Sequence, residues 1–212
     1  MTNHSNWLSV GQASLDKPRF IEIYSSQFHQ TSYVATNKGL KKLLEFVEVD
    51  TQLLHRSWVA YMFATVLAEC GQDFKPIEER GKVTYFDKYE KPPSSTWLKN
   101  TQPGDGFKYR GRGYCQITGR GHYETFGKLV GLDLIEKPGL ALQPDVSYRI
   151  MSDGMVRGLF TGVSLSKYLN ETRKDFVNAR RIINGQDRAQ KIAVDAMKFE
   201  ICLKESERLI NG

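Results

Sequence analysis

The chain has 212 residues, 40% of them hydrophobic and 25% charged, with 30 Lys and Arg against 24 Asp and Glu for a net charge of +6. That length suits one sizeable core, or one core with a small lobe, and the composition excludes a disordered or fibrous chain. Three cysteines exclude a disulfide scaffold, no apolar run approaches the roughly 18 residues of a membrane span, and four scattered histidines lack ligand spacing, so no metal, no cofactor and no stable membrane insertion are expected.

Taken in chain order, Thr2 to Val34 interleaves polar and aromatic residues and predicts an irregular arm with one short helix near Pro18 to Phe28. Asn37 to Val49 is predicted helical, with Leu40, Leu43, Leu44 and Val47 on one stripe. Residues 1–50 are therefore read as an N-terminal arm and helix, and residues 51–212 as the main domain. Gln52 to Cys70 is a long apolar helix that ends in Glu69 and Cys70. Gly71 and Pro76 break it. Gly81 to Pro103 is loop-like and carries Tyr85, Phe86, Tyr89 and Trp97, whose faces fit either a sugar ring or the core.

Tyr109 to Ile117 predicts short extended segments, the only β structure expected. Gly119 to Leu129 is a helix, and Pro138 to Leu142 a short turn. Asp145 is expected to cap a helix running to about Phe160, and Ser164 to Asn170 is short and helical. Arg173 to Ile183 is a helix stopped by Asn184-Gly185. Asp187 is expected to cap a last helix to about Ile210, with Ile192, Met197, Ile201 and Leu209 on its apolar stripe.

Two segments carry chemistry. Tyr109 to Tyr123 packs four glycines, three arginines and three tyrosines around Gln116 and Thr118. Glycines let a backbone approach a ligand, while Arg, Gln, Thr and Tyr supply hydrogen bonds and flat faces, a set that suits a saccharide. The second segment is the Glu69 helix end. A carboxyl with the core on one side is expected to hold its proton more tightly, as a general acid must. Glu78 and Glu79 follow the break; an unbroken helix would set Glu69 and Glu78 about 13 Å apart on opposite faces. Two carboxylates in unlike surroundings are the minimum for glycoside hydrolysis. Cys70 and Cys115 flank these segments and are read as structural thiols.

On these residues the chain resembles glycoside hydrolase family 19, the chitinases and related bacterial and phage lytic enzymes. The blocks are Ala64 to Glu69; Phe74 to Gly81 with Tyr85-Phe86 and Tyr89-Glu90; Pro103 to Arg120 running on to His122-Tyr123; and, more weakly, Asp175 to Gly185. The resemblance implies a mainly α, lysozyme-like, two-lobed helical domain with a small β-hairpin region beside the cleft. It implies Glu69 as general acid, Glu78 or Glu79 as general base, and Thr118 as the hydroxyl that helps hold the attacking water. Gln116, Tyr123 and Asn184 match sugar-contacting positions, and Tyr85 and Arg112 join them as candidate substrate contacts. The family inverts the anomeric centre, which needs carboxyls roughly 6.5–9.5 Å apart. The chain departs from the family at Ala68, where histidine is usual, and at His122, where asparagine is common.

The expected function is that of an endo-acting hydrolase of β-1,4 bonds in bacterial peptidoglycan, as in phage-type endolysins. Chitin is the alternative substrate, because a fully acetylated polymer is neutral and gives no reason for a surplus of +6. A wall-binding module without hydrolysis is the third possibility. Nucleic acid is set aside, because Lys108, Arg110, Arg112 and Arg120 lie inside a folded pattern. A monomer is expected. The N-terminus shows no basic region followed by an apolar run, which predicts cytoplasmic synthesis and action on the cell wall after release.

Overall fold

A computed structural model describes residues 13–29 and 37–209. The described chain is mainly α and falls into two compact units, one formed by residues up to Phe74 and from Met155 onward, the other by Lys75–Gly154. The parts of the expected arm at residues 1–12 and 30–36, and the expected helix end at Ile210, lie outside the described residues.

The first unit starts with β1 (Ala13–Leu15) and α1 (Lys17–Gln27). The Asp16 side chain accepts from the Arg19 N–H and fixes the start of α1, close to the expected helix. Helix α2 (Lys38–Val49) is capped in the same way by Asn37, and its stripe Leu40, Leu43, Leu44 and Val47 is fully buried, as expected. Helix α3 (Arg56–Cys70) begins four residues later than expected and is buried on all sides from Ser57 to Val66. It packs against α9 (Ala189–Glu205). Phe20, Phe63 and Phe199 interlock there edge to face, with the Phe63 and Phe199 centroids 5.6 Å apart.

Several expectations in this unit are corrected. The helix expected over Arg173 to Ile183 is a short α8 (Phe176–Ala179) continued by a 3-10 turn, Arg180–Ile182. Asp175 sets the later start by accepting from the Asn178 N–H at 3.0 Å. Asp187 does not cap α9. That place falls to Arg188, and the Asp187 carboxylate instead accepts from the Arg188 Nε. Helix α9 stops at Glu205, and the chain turns into β4 (Glu207–Leu209), antiparallel to β1. This second sheet was not expected, because three-residue strands carry too little alternation to stand out. The buried face of α9 is Ile192, Ala193, Ala196, Phe199, Cys202 and Leu203, whereas Met197 and Ile201 are exposed.

The second unit holds β2 (Ile77–Glu78), α4 (Ser94–Leu98), α5 (Asp105–Lys108), β3 (Arg112–Gly113) and α6 (Arg120–Val130). The segment Gly81 to Pro103 is not a plain loop, since Val83–Tyr89 winds as a 3-10 helix around buried Phe86. Strands β2 and β3 pair antiparallel, Ile77 with Gly113 and Glu78 with Arg112, and Ile117 bridges back to Arg112. Of the extended segments expected at Tyr109 to Ile117, Arg112–Gly113 and the Ile117 bridge form, and their partner Ile77–Glu78 was not expected. A 3-10 turn occupies Pro138–Leu142 as expected. Helix α7 (Pro144–Arg157) carries the chain back to the first unit. Asp145 lies in its first turn and Pro144 opens it; Gly158 stops it short of Phe160 by taking a left-handed φ of 70°. Among the described residues, no helix is long and apolar enough to cross a membrane.

Candidate active site

In the first unit, Glu69 stands in the last turn of α3. Its Oε1 accepts from Arg180 Nη2 at 2.9 Å and its Oε2 from Arg188 Nη2 at 3.3 Å. Sequence reasoning set the core against this carboxyl; the structure sets two guanidiniums there. Arg180 is 1% exposed, and its Nε donates to the Asp187 carbonyl at 3.1 Å. Arg188 is half-exposed, and its Nη1 donates to the Ala68 carbonyl at 2.8 Å. Asn184 lies on the turn between them, exposed, with its Oδ1 accepting from the Gly185 N–H. Neither arginine was singled out from the sequence. The signal was the placing of Arg180 within the apolar run Phe176, Ala179, Ile182 and Ile183, which puts a cation on a buried face.

In the second unit, Glu78 and Glu79 are neighbours at the end of β2, where consecutive side chains point to opposite sides. Glu78 accepts from Arg112 Nε at 2.6 Å and pairs with Arg110 Nη2 at 2.8 Å. Burial works against its charge, but the hydrogen bonds from Arg110 and Arg112 outweigh that and hold the carboxyl below its usual range. Arg112, itself buried, donates further to the Lys108 carbonyl and the Tyr123 hydroxyl. Tyr123 is fully buried; its hydroxyl donates to the Arg110 carbonyl, and burial pushes it up to about 12. The polar groups of both Arg112 and Tyr123 are thus directed into the protein's own network.

Glu79 has different company. Its Oε1 accepts from the Tyr89 hydroxyl and its Oε2 from the Gly111 N–H, both at 3.1 Å, with Lys88 Nζ 3.7 Å from Oε1. Among the described residues no guanidinium pairs with it. The Glu79 N–H donates to the Gly111 carbonyl at 2.8 Å, so backbone and side chain grip the same residue. A Cβ on Gly111 would stand 2.8 Å from Gln116 Oε1 and 3.2 Å from Glu79 Oε2. Glycine here lets the Gln116 amide and the Glu79 carboxylate share one space.

Gln116 adopts a left-handed φ of 52°, which is costly for a residue with a side chain. Its Nε2 offsets that by donating to the Ile77 and Gly113 carbonyls, both at 2.9 Å, so it spans the β2–β3 sheet. Strain of this kind gathers at functional positions. The Thr118 hydroxyl donates to the Gln116 carbonyl at 3.0 Å, which leaves its lone pairs to accept. Tyr85 is 49% exposed, meets Phe86 edge to face, and carries Lys88 Nζ 3.6 Å from its ring centroid. The structure therefore gathers Glu79, Gln116 and Gly111 in one place, and Glu78, Arg112 and Tyr123 in another. Among the described residues, no group of three or more His, Cys, Asp and Glu is placed to hold a metal ion.

No family model matches the chain. A curated protein of Haemophilus influenzae, described as glycosyl hydrolase family 19 domain-containing, is 50% identical over 46 residues, and the match spans only 22% of each protein. Chitinase C from Streptomyces griseus superposes with a TM-score of 0.58 at 20% identity, covering 90% of this chain and 76% of its own. A mutant of chitinase C gives 0.53 at 16%, covering 96% of both. A bacterial family 19 chitinase gives 0.50 at 17%, covering 89% of this chain and 94% of its own. The chain resembles glycoside hydrolase family 19 in both sequence and fold. At these identities the structural likeness establishes the mainly α fold alone.

Proposed function

We propose that this protein is a glycoside hydrolase that cleaves β-1,4 bonds within an N-acetylhexosamine polymer, with inversion, and that bacterial peptidoglycan is its substrate. The observation that carries the reading is the contrast between Glu78 and Glu79. Arg110 and Arg112 engage both oxygens of Glu78 and hold its carboxyl below the usual range, which makes Glu78 a poor base. Glu79 is oriented by a phenol and a backbone N–H, beside Gln116 and close to strained backbone, as a general base is held for work.

In this mechanism Glu69 gives a proton to the glycosidic oxygen as its bond to the anomeric carbon breaks. A water adds to that carbon from the opposite face and gives a proton to Glu79, so that charge and protons balance. Thr118, with its own proton committed to the Gln116 carbonyl, accepts from the water and turns a lone pair to the anomeric carbon. Gln116, Asn184 and the exposed ring of Tyr85 are assigned to the sugar. Arg112 and Tyr123 act through the sheet they hold. The net charge of +6 supports an anionic polymer as substrate.

The second reading is a chitinase, favoured by the names of the three similar solved structures. Mass spectrometry of digests of peptidoglycan sacculi and of N-acetylglucosamine oligomers separates the two. Products from sacculi, with the new reducing end naming the bond, are expected. Products from the oligomers alone would replace peptidoglycan with chitin. Binding to sacculi without cleavage of either would leave a wall-binding module.

A further inference from the structure

We propose that Arg180 is a positioning residue for Glu69, and that it ties the carboxylate and the Asn184–Arg188 turn into one piece; this rests on the reading of Glu69 as the acid. Three observations in the first unit support it. Arg180 is 1% exposed, in a place where a cation is retained only against strong partners. Its Nη2 holds Glu69 Oε1 at 2.9 Å while its Nε holds the Asp187 carbonyl at 3.1 Å, so a single planar group sets the carboxylate and the backbone of the turn that carries Asn184. Among the described residues, its Nη1 is buried with no hydrogen-bond partner. A guanidinium kept buried with one nitrogen unsatisfied is not an optimised structural fastening.

Arg188 has another character. It is 43% exposed, its contact to Glu69 is longer at 3.3 Å, and its Nε is engaged by the Asp187 carboxylate. It is a surface contact to a carboxylate that Arg180 already holds. The fork of Arg180 matters because the two bonds leave one rigid plane in different directions. Lysine offers a single charge on a flexible stem and cannot copy that geometry. A displacement of about 1 Å at a reacting group costs on the order of a hundredfold in turnover.

The test measures kcat and KM of the full chain on peptidoglycan sacculi and on an N-acetylglucosamine hexamer, for Arg180→Lys, Arg180→Gln, Arg188→Ala and Glu69→Gln. Helical circular dichroism and melting serve as checks of folding. Arg180→Lys is expected to retain the helical signal, to lower kcat by roughly tenfold to a hundredfold, and to leave KM within about threefold, a split that general loosening would not give. Arg188→Ala is expected to lose far less turnover. Should Arg180→Lys fail to fold, Arg180→Gln decides, because it removes the buried charge while keeping an amide donor for Glu69; folded and slow supports the proposal. Turnover within twofold of the parent in whichever arginine variant folds, with Glu69→Gln inactive, overturns the positioning role. Full turnover by Glu69→Gln would instead overturn the reading of Glu69 as the acid.

Discussion

Replacing Glu69 by alanine tests its pairing with Arg180 through stability, with no substrate needed. The Arg180 side chain is 1% exposed and that of Glu69 15%, so neither charge is well hydrated when the partner is removed. Alanine leaves the buried guanidinium with the Asp187 carbonyl and a nitrogen, Nη1, that already lacks a partner among the described residues. Deleting one partner of a buried pair costs about 3–5 kcal/mol. The half-exposed Arg188 adds little, because water screens its share. Some water also reaches Glu69, so the lower end, about 3 kcal/mol, is expected. For a chain of this size about 1 kcal/mol corresponds to about 2–4 °C, which puts the fall in Tm near 6–12 °C. Glu69→Gln keeps an oxygen for Arg180 Nη2 and gives up only the charge, a loss of about 1 kcal/mol and about 2–4 °C. Calorimetric melts of the parent and both variants at pH 7 read the ordering. An alanine variant that melts within about 2 °C of the parent, or above it, would refute the dependence of Arg180 on Glu69.

Glu79→Gln should lower kcat by roughly 10²–10⁴-fold with little change in melting, whereas Glu78→Gln should show the larger fall in Tm, because it deprives buried Arg112 of its carboxylate; equal kinetic losses in the two would dissolve the distinction between them. Gly111→Ala places a Cβ against Gln116 Oε1 and Glu79 Oε2, both side-chain atoms, and is expected to reduce turnover more than stability in parallel kinetic and urea measurements. A fall in both alike would mean that the backbone has given way instead. Asp105 is buried, and burial opposes its charge, yet hydrogen bonds from Arg120 and from the Gln102 and Thr101 N–H groups hold the carboxyl below its usual range. A folded value below the unfolded one stabilises the protein above about pH 3.9 and is lost as pH falls through the folded value. The urea midpoint should therefore stay level from pH 7 to about 5 and drop below about 4, and Asp105→Asn should flatten that drop.

The stripe Leu40, Leu43, Leu44 and Val47 could be read in advance because one buried face at helical spacing is a local signal, and α2 carries it complete. Helix α9 misled at Met197 and Ile201 because several of its buried positions are small or polar, namely Ala193, Ala196 and Asp195, and the larger side chains drew the stripe to the wrong face. The ends of α8 and α9 were missed for one reason. Asp175 and Asp187 both have the side chain of a cap, and residue type alone does not tell that the first accepts from the Asn178 N–H while the second answers its neighbour Arg188. The sheet of β1 with β4 joins residues almost two hundred positions apart, and nothing local encodes that pairing. In the candidate site, residue types were readable and partners were not. Arg180, Arg188, Tyr89 and Arg110 matter here by what they touch, and touching is settled only by the fold.

The adjacent acids illustrate how much depends on partners. From the sequence, Glu78 and Glu79 are equivalent, because either could fall at the position of the base. Their backbones are neighbours, yet the pleat turns their side chains apart, and each meets a different part of the segment from Arg110 to Gln116. Glu78 meets Arg110 and Arg112, so it neutralises two cations that would otherwise sit in a half-buried sheet without a carboxylate. That pairing joins β2 to β3 and sets Gly111 between them. Gly111 in turn presents its N–H and its missing side chain to Glu79 and Gln116. A chain with only one acid here would have to choose between holding the sheet and leaving a lone pair free for water. With two in succession, the stabilising charge of the first is what fixes the geometry in which the second can act as a base.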